Sequence, residues 1–218
     1  MVTTLQASRV DLETLTAEFQ LKAVQVDGFF EEWRSDLPLV SEADRTFLDK
    51  VRSGFWNAIE HPPLLEKAIQ IFVLGPLLLL ADFHLPPFHM KVEKSVEITA
   101  QDNETIVRGQ IDILVLREGF WVLVIESKES SFSIEVGLAQ ILSYMLAQPD
   151  TSRPTFGLIA SGGSFVFLKL VRGAVNRYAL SRVFEIRNPG NDLYEVLGVL
   201  KRLASAVGED LELNGRLS

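Results

Sequence analysis

Phe47, Leu48, Val51 and Phe55 recur at three- and four-residue intervals, the spacing of one helix face. Ser41 followed by Glu42, Ala43 and Asp44 supplies a side-chain cap and acid in the first turn, so a helix is predicted to start there and to close at Pro62-Pro63. Proline is tolerated in a first turn, and a second helix is predicted from about Leu64 to Phe83. Pro76 inside it predicts a kink or break near Gly75. Residues 1–60 therefore read as a mainly helical N-terminal extension.

The period changes after His84-Leu85-Pro86-Pro87. Residues 91–98, 106–117, 120–128, 154–160 and 164–171 are rich in Val, Ile, Leu and Phe and are predicted strands. Arg117-Glu118-Gly119 and Ser161-Gly162-Gly163 each join two apolar runs and read as hairpin turns. Between the third and fourth strands a helix is expected over residues 134–147, with Ile134, Leu138, Ile141, Leu142 and Met145 on one face. A last amphipathic helix over 192–207 follows Asn188-Pro189-Gly190. The pattern is that of an α/β domain over 61–218: a mixed sheet flanked by helices, ending in a C-terminal helix.

Composition narrows the chemistry. Without cysteine, disulfide scaffolds, thiolate zinc sites and cysteine nucleophiles are excluded. The N-terminal MVTTLQASRVDLETL has no signal-like apolar run, and IQIFVLGPLLLLA at 69–81 is too short to span a bilayer, so no membrane partner and a cytoplasmic address are expected. The net charge of −8 argues against sequence-blind coating of nucleic acid. Residues 153–202 nonetheless hold eight basic side chains against three acidic ones, Glu185, Asp192 and Glu195. They form either a local phosphate-facing surface or arginines scattered over a solvated face. The three histidines, His61, His84 and His89, match no common metal spacing.

The stretch GQIDILVLREGFWVLVIESKE, residues 109–129, carries charge where a sheet interior should exclude it. Glu126 and Lys128 project to one side of their strand, and Asp112 lies on the neighbouring strand about 5 Å away if the two pair as a hairpin. Burying an unpaired carboxylate costs several kcal/mol, roughly. Either Lys128 closes an ion cluster with both acids, or Asp112 and Glu126 hold a hard divalent ion and Lys128 serves chemistry.

Asp112, thirteen residues, then Glu126-Ser127-Lys128, then a helix, resembles the PD-(D/E)XK phosphodiesterase superfamily. More closely, the chain is similar to the N-terminal nuclease domain of type I restriction enzyme R subunits. Glu66 ahead of Pro76-Leu77-Leu78, and Gln140 with Tyr144 four residues on, match that subgroup over residues 64 to about 171. Ile111 precedes Asp112 where the superfamily usually has proline, and no GxxxxGK[ST] loop accompanies the chain, so no ATP-driven motor is expected.

The resemblance implies a restriction-endonuclease-like core and a Mg²⁺- or Mn²⁺-dependent endonuclease acting on DNA. Asp112, Glu126 and the Ser127 carbonyl would hold the metal, and Lys128 would stabilise developing charge. Glu66 would complete the shell, unless it is a surface glutamate at a helix start. Gln140 and Tyr144 would reach a phosphate or base edge, unless Tyr144 packs beside Leu142 and Met145. A homodimer suits cutting of both strands, and the acidic total suits recruitment by a protein partner. The alternative is a catalytically inactive member serving binding or assembly in a restriction or repair system.

Overall fold

The five apolar runs fold as strands of one mixed sheet, and four shorter strands complete the nine found among the described residues. The computed structural model describes the backbone of residues 3–62, 66–100, 105–128 and 134–215, and the side chains of 4–62, 66–100, 105–127 and 137–206. In chain order the elements are β1 (Thr3–Gln6), α1 (Leu12–Phe19), β2 (Leu21–Ala23), α2 (Glu42–Glu60), α3 (Glu66–Ile69), a π-turn (Gln70–Leu74) and α4 (Gly75–Leu80). They continue with β3 (Phe88–Thr99), β4 (Thr105–Arg117), β5 (Phe120–Lys128), α5 (Ile134–Leu146), β6 (Thr155–Ser161), β7 (Ser164–Val171), β8 (Asn176–Leu180), β9 (Phe184–Glu185) and α6 (Leu193–Gly215).

The strands run β1-β4-β5-β6-β7-β8-β2, with β3 also on β4 and β9 on β7. β5 and β6 are parallel, which obliges the chain to cross over between them, and α5 is that crossover. The β4–β5 connection turns on Glu118 at φ 50° and Gly119 at φ 87°, the doubly positive backbone that matches strand twist in a two-residue hairpin. Helices α2, α4 and α6 pack on one face of the sheet, over a core containing Phe55, Phe83, Phe156, Phe165, Phe167 and Phe184. α1 and α5 cover the other face, over Leu114, Val124, Ile141, Leu142, Met145 and Leu168. Gly157 admits α5 closely: a Cβ there would sit 2.8 Å from the Met145 sulfur.

The expected α/β class, the five strands and the helices over α2, α5 and α6 are present. Ser41 caps α2 by accepting from the Asp44 amide at 3.1 Å. Three expectations are corrected. Residues 1–60 carry more than helices, because β1 pairs with β4 and β2 with β8 inside the main sheet; runs of four and three residues are too short to display alternation. The helix expected to kink near Gly75 widens instead into the π-turn, with the Gly75 amide reaching the Gln70 carbonyl five residues back, ahead of Pro76. That helix ends at Leu80, and Leu64, its expected start, lies outside the described residues. Strands β8 and β9 were not anticipated, and α6 extends past residue 207 to Gly215.

Two glycines, one in a hairpin and one in a helix, should respond oppositely to alanine. At Gly163 an added Cβ would meet Ile186 Cγ2 at 2.5 Å and the Phe55 ring at 2.7 Å, whereas exposed Gly54, inside α2, has nothing within 4 Å. Gly163→Ala is expected to lower the urea midpoint, by about 1–3 kcal/mol of stability at unchanged slope. Gly54→Ala is expected to raise it by about 0.5–1 kcal/mol.

Candidate active site

β4 is shared between three strands. β3 lines one edge along nearly its whole length, while the opposite edge is divided between β1, at Thr105–Arg108, and β5, at Ile113–Arg117. Residues 109–112 fall in the gap, where β4 has a strand on one side only. The alternation of β4 also breaks here: Ile111 and Leu114, three apart, both enter the α5-side core. On β3 the facing residue Glu93 takes φ 52°, and Glu93 and Asp112 drop out of the otherwise continuous register.

Side chains fill the positions that strand pairing leaves open. The last β4–β5 pair is Ile113 with Ile125; beyond it the strands part, and the Ser127 amide donates to Asp112 Oδ2 at 2.8 Å in place of a ladder carbonyl. The Ser127 hydroxyl donates to the same oxygen, also at 2.8 Å. From the other side of the gap the Tyr144 hydroxyl accepts from the Gln110 backbone amide and, at 2.8 Å, from Gln140 Nε2. Tyr144 can lie there only because residue 109 is glycine, since a Cβ would be 2.5 Å from its ring and 2.7 Å from the Ala7 methyl.

Glu126 is 1% exposed and Ser127 fully buried, whereas Asp112 is half-buried at the mouth of the gap. The Tyr144 phenol is pushed up to about 12, first by burial and then by the negative charge of Glu126, with Asp112 adding a smaller push. Both carboxylates thus act on one phenol, so they share a neighbourhood of low polarisability. On the opposite side α3 approaches: Gln70 Nε2 donates to Ser127 Oγ at 2.5 Å and to Glu66 Oε1 at 3.4 Å.

The structure therefore gathers Asp112, Glu126, Ser127 and Tyr144 directly, Gln140 through Tyr144, and Glu66 through Gln70. The side chain of Lys128 lies outside the described residues; its backbone ends β5, paired with Ser161 of β6. Gln140 and Tyr144, expected to reach a phosphate or base edge, are turned inward at 7% and 2% exposure and support β4. Gln70 was not anticipated, although a lone amide in IQIFVLG, one turn after Glu66, was a readable sign. No family model matches the chain, and no curated protein matches it.

Among the described residues no three His, Cys, Asp or Glu side chains converge to hold a metal ion. The donor set is two carboxylates with neighbouring backbone oxygen, which fits Mg²⁺: it commonly binds one or two carboxylates and keeps several waters. The three histidines are all exposed. The basic residues of 153–202 are scattered: Lys169 pairs with Glu32, Arg182 with Asp192 and Glu195, Arg187 with Glu185, and Lys201 with Asp44. Among the described residues no helix is long and apolar enough to cross a membrane.

Tyr144 gives a pH signature. Its folded-state pKa lies above the unfolded value of about 10, so its contribution is complete below pH ~10 and is lost as pH rises toward about 12. Tyr144→Phe is expected to remove the highest-pH step from the phenolate absorbance titration and to flatten the loss of stability in that window.

Proposed function

We propose that this protein is a Mg²⁺-dependent phosphodiesterase of the PD-(D/E)XK kind, with a restriction-endonuclease-like core, acting on DNA as an endonuclease without an ATP-driven motor. The observation that carries the reading is the parting of β4 and β5 at Asp112 and Ser127, which leaves two acidic side chains beside an opening in the sheet. Helical segments approach that opening from both faces, α5 with Gln140 and Tyr144, and α3 with the π-turn through Glu66 and Gln70. A three-layer structural core has no use for acids there unless charge must be handled.

Asp112 would present Oδ1 to the ion, because both of its hydrogen bonds among the described residues fall on Oδ2. Glu126 would supply the second carboxylate from a site that excludes water, which strengthens its pull on a cation. Mg²⁺ or Mn²⁺ bound there would make a coordinated water more acidic and offset charge on the scissile phosphate. Lys128 would place an ammonium against the charge that develops on the phosphoryl oxygens. Gln140 and Tyr144 hold the Gln110 backbone in position, and so fix where the acids sit. A symmetric dimer would bring two such sites to the two strands of a duplex, and a partner protein would offset the acidic surface in recruiting substrate.

One observation favours a second reading, a silent member of the same fold that serves binding or assembly: Asp112 already receives two hydrogen bonds from Ser127, which stabilises it without an ion. Cleavage separates the two. Supercoiled and single-stranded DNA are incubated with wild type, Lys128→Ala and Asp112→Asn in Mg²⁺ or Mn²⁺. The nuclease reading expects cutting by wild type and a loss of about 10²–10³-fold in each variant. Cutting that survives unchanged in both variants excludes this site.

A further inference from the structure

The Ser127 hydroxyl has one proton, and the geometry fixes where it goes. Asp112 Oδ2 and Gln70 Nε2 both lie within hydrogen-bonding distance of Oγ, at 2.8 and 2.5 Å. The amide nitrogen of Gln70 can only donate, so Oγ accepts from it and gives its own proton to the carboxylate. Gln70 spends its other amide proton on Glu66 Oε1. The result is a directional chain, Glu66 ← Gln70 → Ser127 → Asp112, that joins α3, the π-turn, β5 and β4.

Each link depends on a backbone feature already described. Gln70 begins the π-turn, whose extra residue shifts register between α3 and α4, so the amide of Gln70 meets β5 while the following apolar residues Val73 and Leu74 stay buried. Ser127 points to the α3 side, where it meets Gln70, and Glu126, the residue before it, takes the opposite side of the strand. Among the described residues Asp112 Oδ1 receives no hydrogen bond, whereas Oδ2 receives two, so the carboxylate is held at one oxygen and presented by the other.

We propose that Ser127 and Gln70 are positioning residues that orient Asp112 for a divalent cation, with Ser127 acting through its side-chain hydroxyl as well as its backbone. This rests on the phosphodiesterase reading of the site. Partners that hydrogen-bond a metal-ligating carboxylate fix its orientation, and their loss weakens metal binding about 10–100-fold.

Calorimetric titration of the purified chain with Mn²⁺ alone, and with Mg²⁺ alone, tests the inference without reference to cleavage. Wild type is expected to bind, and Asp112→Asn to abolish binding. Ser127→Ala and Gln70→Leu should each weaken it about 10–100-fold, and Ser127→Thr, which keeps the hydroxyl, should restore it. Urea unfolding of each variant confirms that the fold is kept, and if Ser127→Ala does not fold, Gln70→Leu and Ser127→Thr carry the test. Binding that needs Asp112 but is equal to wild type in Ser127→Ala and Gln70→Leu overturns the positioning role and leaves the site's metal reading standing. Absence of binding in wild type overturns both.

Discussion

The Ser127 amide and the Asp112 carboxylate each solve a problem the other creates. Where β5 leaves β4, an amide inside the protein loses its ladder carbonyl, and a buried donor without an acceptor costs about 1–3 kcal/mol. A carboxylate beside it has lost part of its water and needs donors in its place. Their 2.8 Å contact lets the sheet open without leaving either group unsatisfied. The rest of the site is arranged around that opening.

The opening exists because two strands share one edge of β4. β1 occupies the start of that edge and β5 its end, and neither reaches residues 109–112. A gap of this kind would expose backbone to solvent, yet the Gln110 amide is covered by a phenol that α5 delivers. Small residues make the delivery possible: Gly109 leaves space for the Tyr144 ring, and Gly157 lets α5 settle on β6. From the other face the π-turn between α3 and α4 places Gln70 against β5. The candidate site residues and the irregular backbone therefore coincide, as expected where local regularity yields to buried charge.

Much of this was legible in the sequence. Two apolar runs joined at Arg117-Glu118-Gly119 pointed to the central hairpin, and the charged positions inside it marked the candidate site. The helical stripe of Leu138, Ile141, Leu142 and Met145 placed α5. What escaped was set by contacts distant in the chain. β1 and β2 are too brief to carry a period, and their pairing with β4 and β8 follows from edges the rest of the sheet leaves open. The spacing of Gln140 and Tyr144 shows that they share a helix face, but only Gly109, on another strand, shows that this face turns inward. The basic run of 153–202 could be read as a surface until tertiary structure gave four of its members acidic partners, two of them distant in sequence: Lys169 with Glu32 and Lys201 with Asp44.

The donor set also bears on which cation the site would favour. Zinc sites draw on cysteine and histidine, and this chain has no cysteine, while its histidines lie on the exposed surface. Calcium asks for about six to eight oxygen ligands, more than two carboxylates with local backbone can supply when no third acid converges among the described residues. A small hard ion that keeps its waters needs less from the protein, and those waters are the groups phosphodiester hydrolysis uses. Glu126 is buried against a phenol that stays protonated to about pH 12, so the charge it could offer a cation is neither shared with a phenolate nor diluted by solvent. A cation between the two acids would relieve their mutual repulsion.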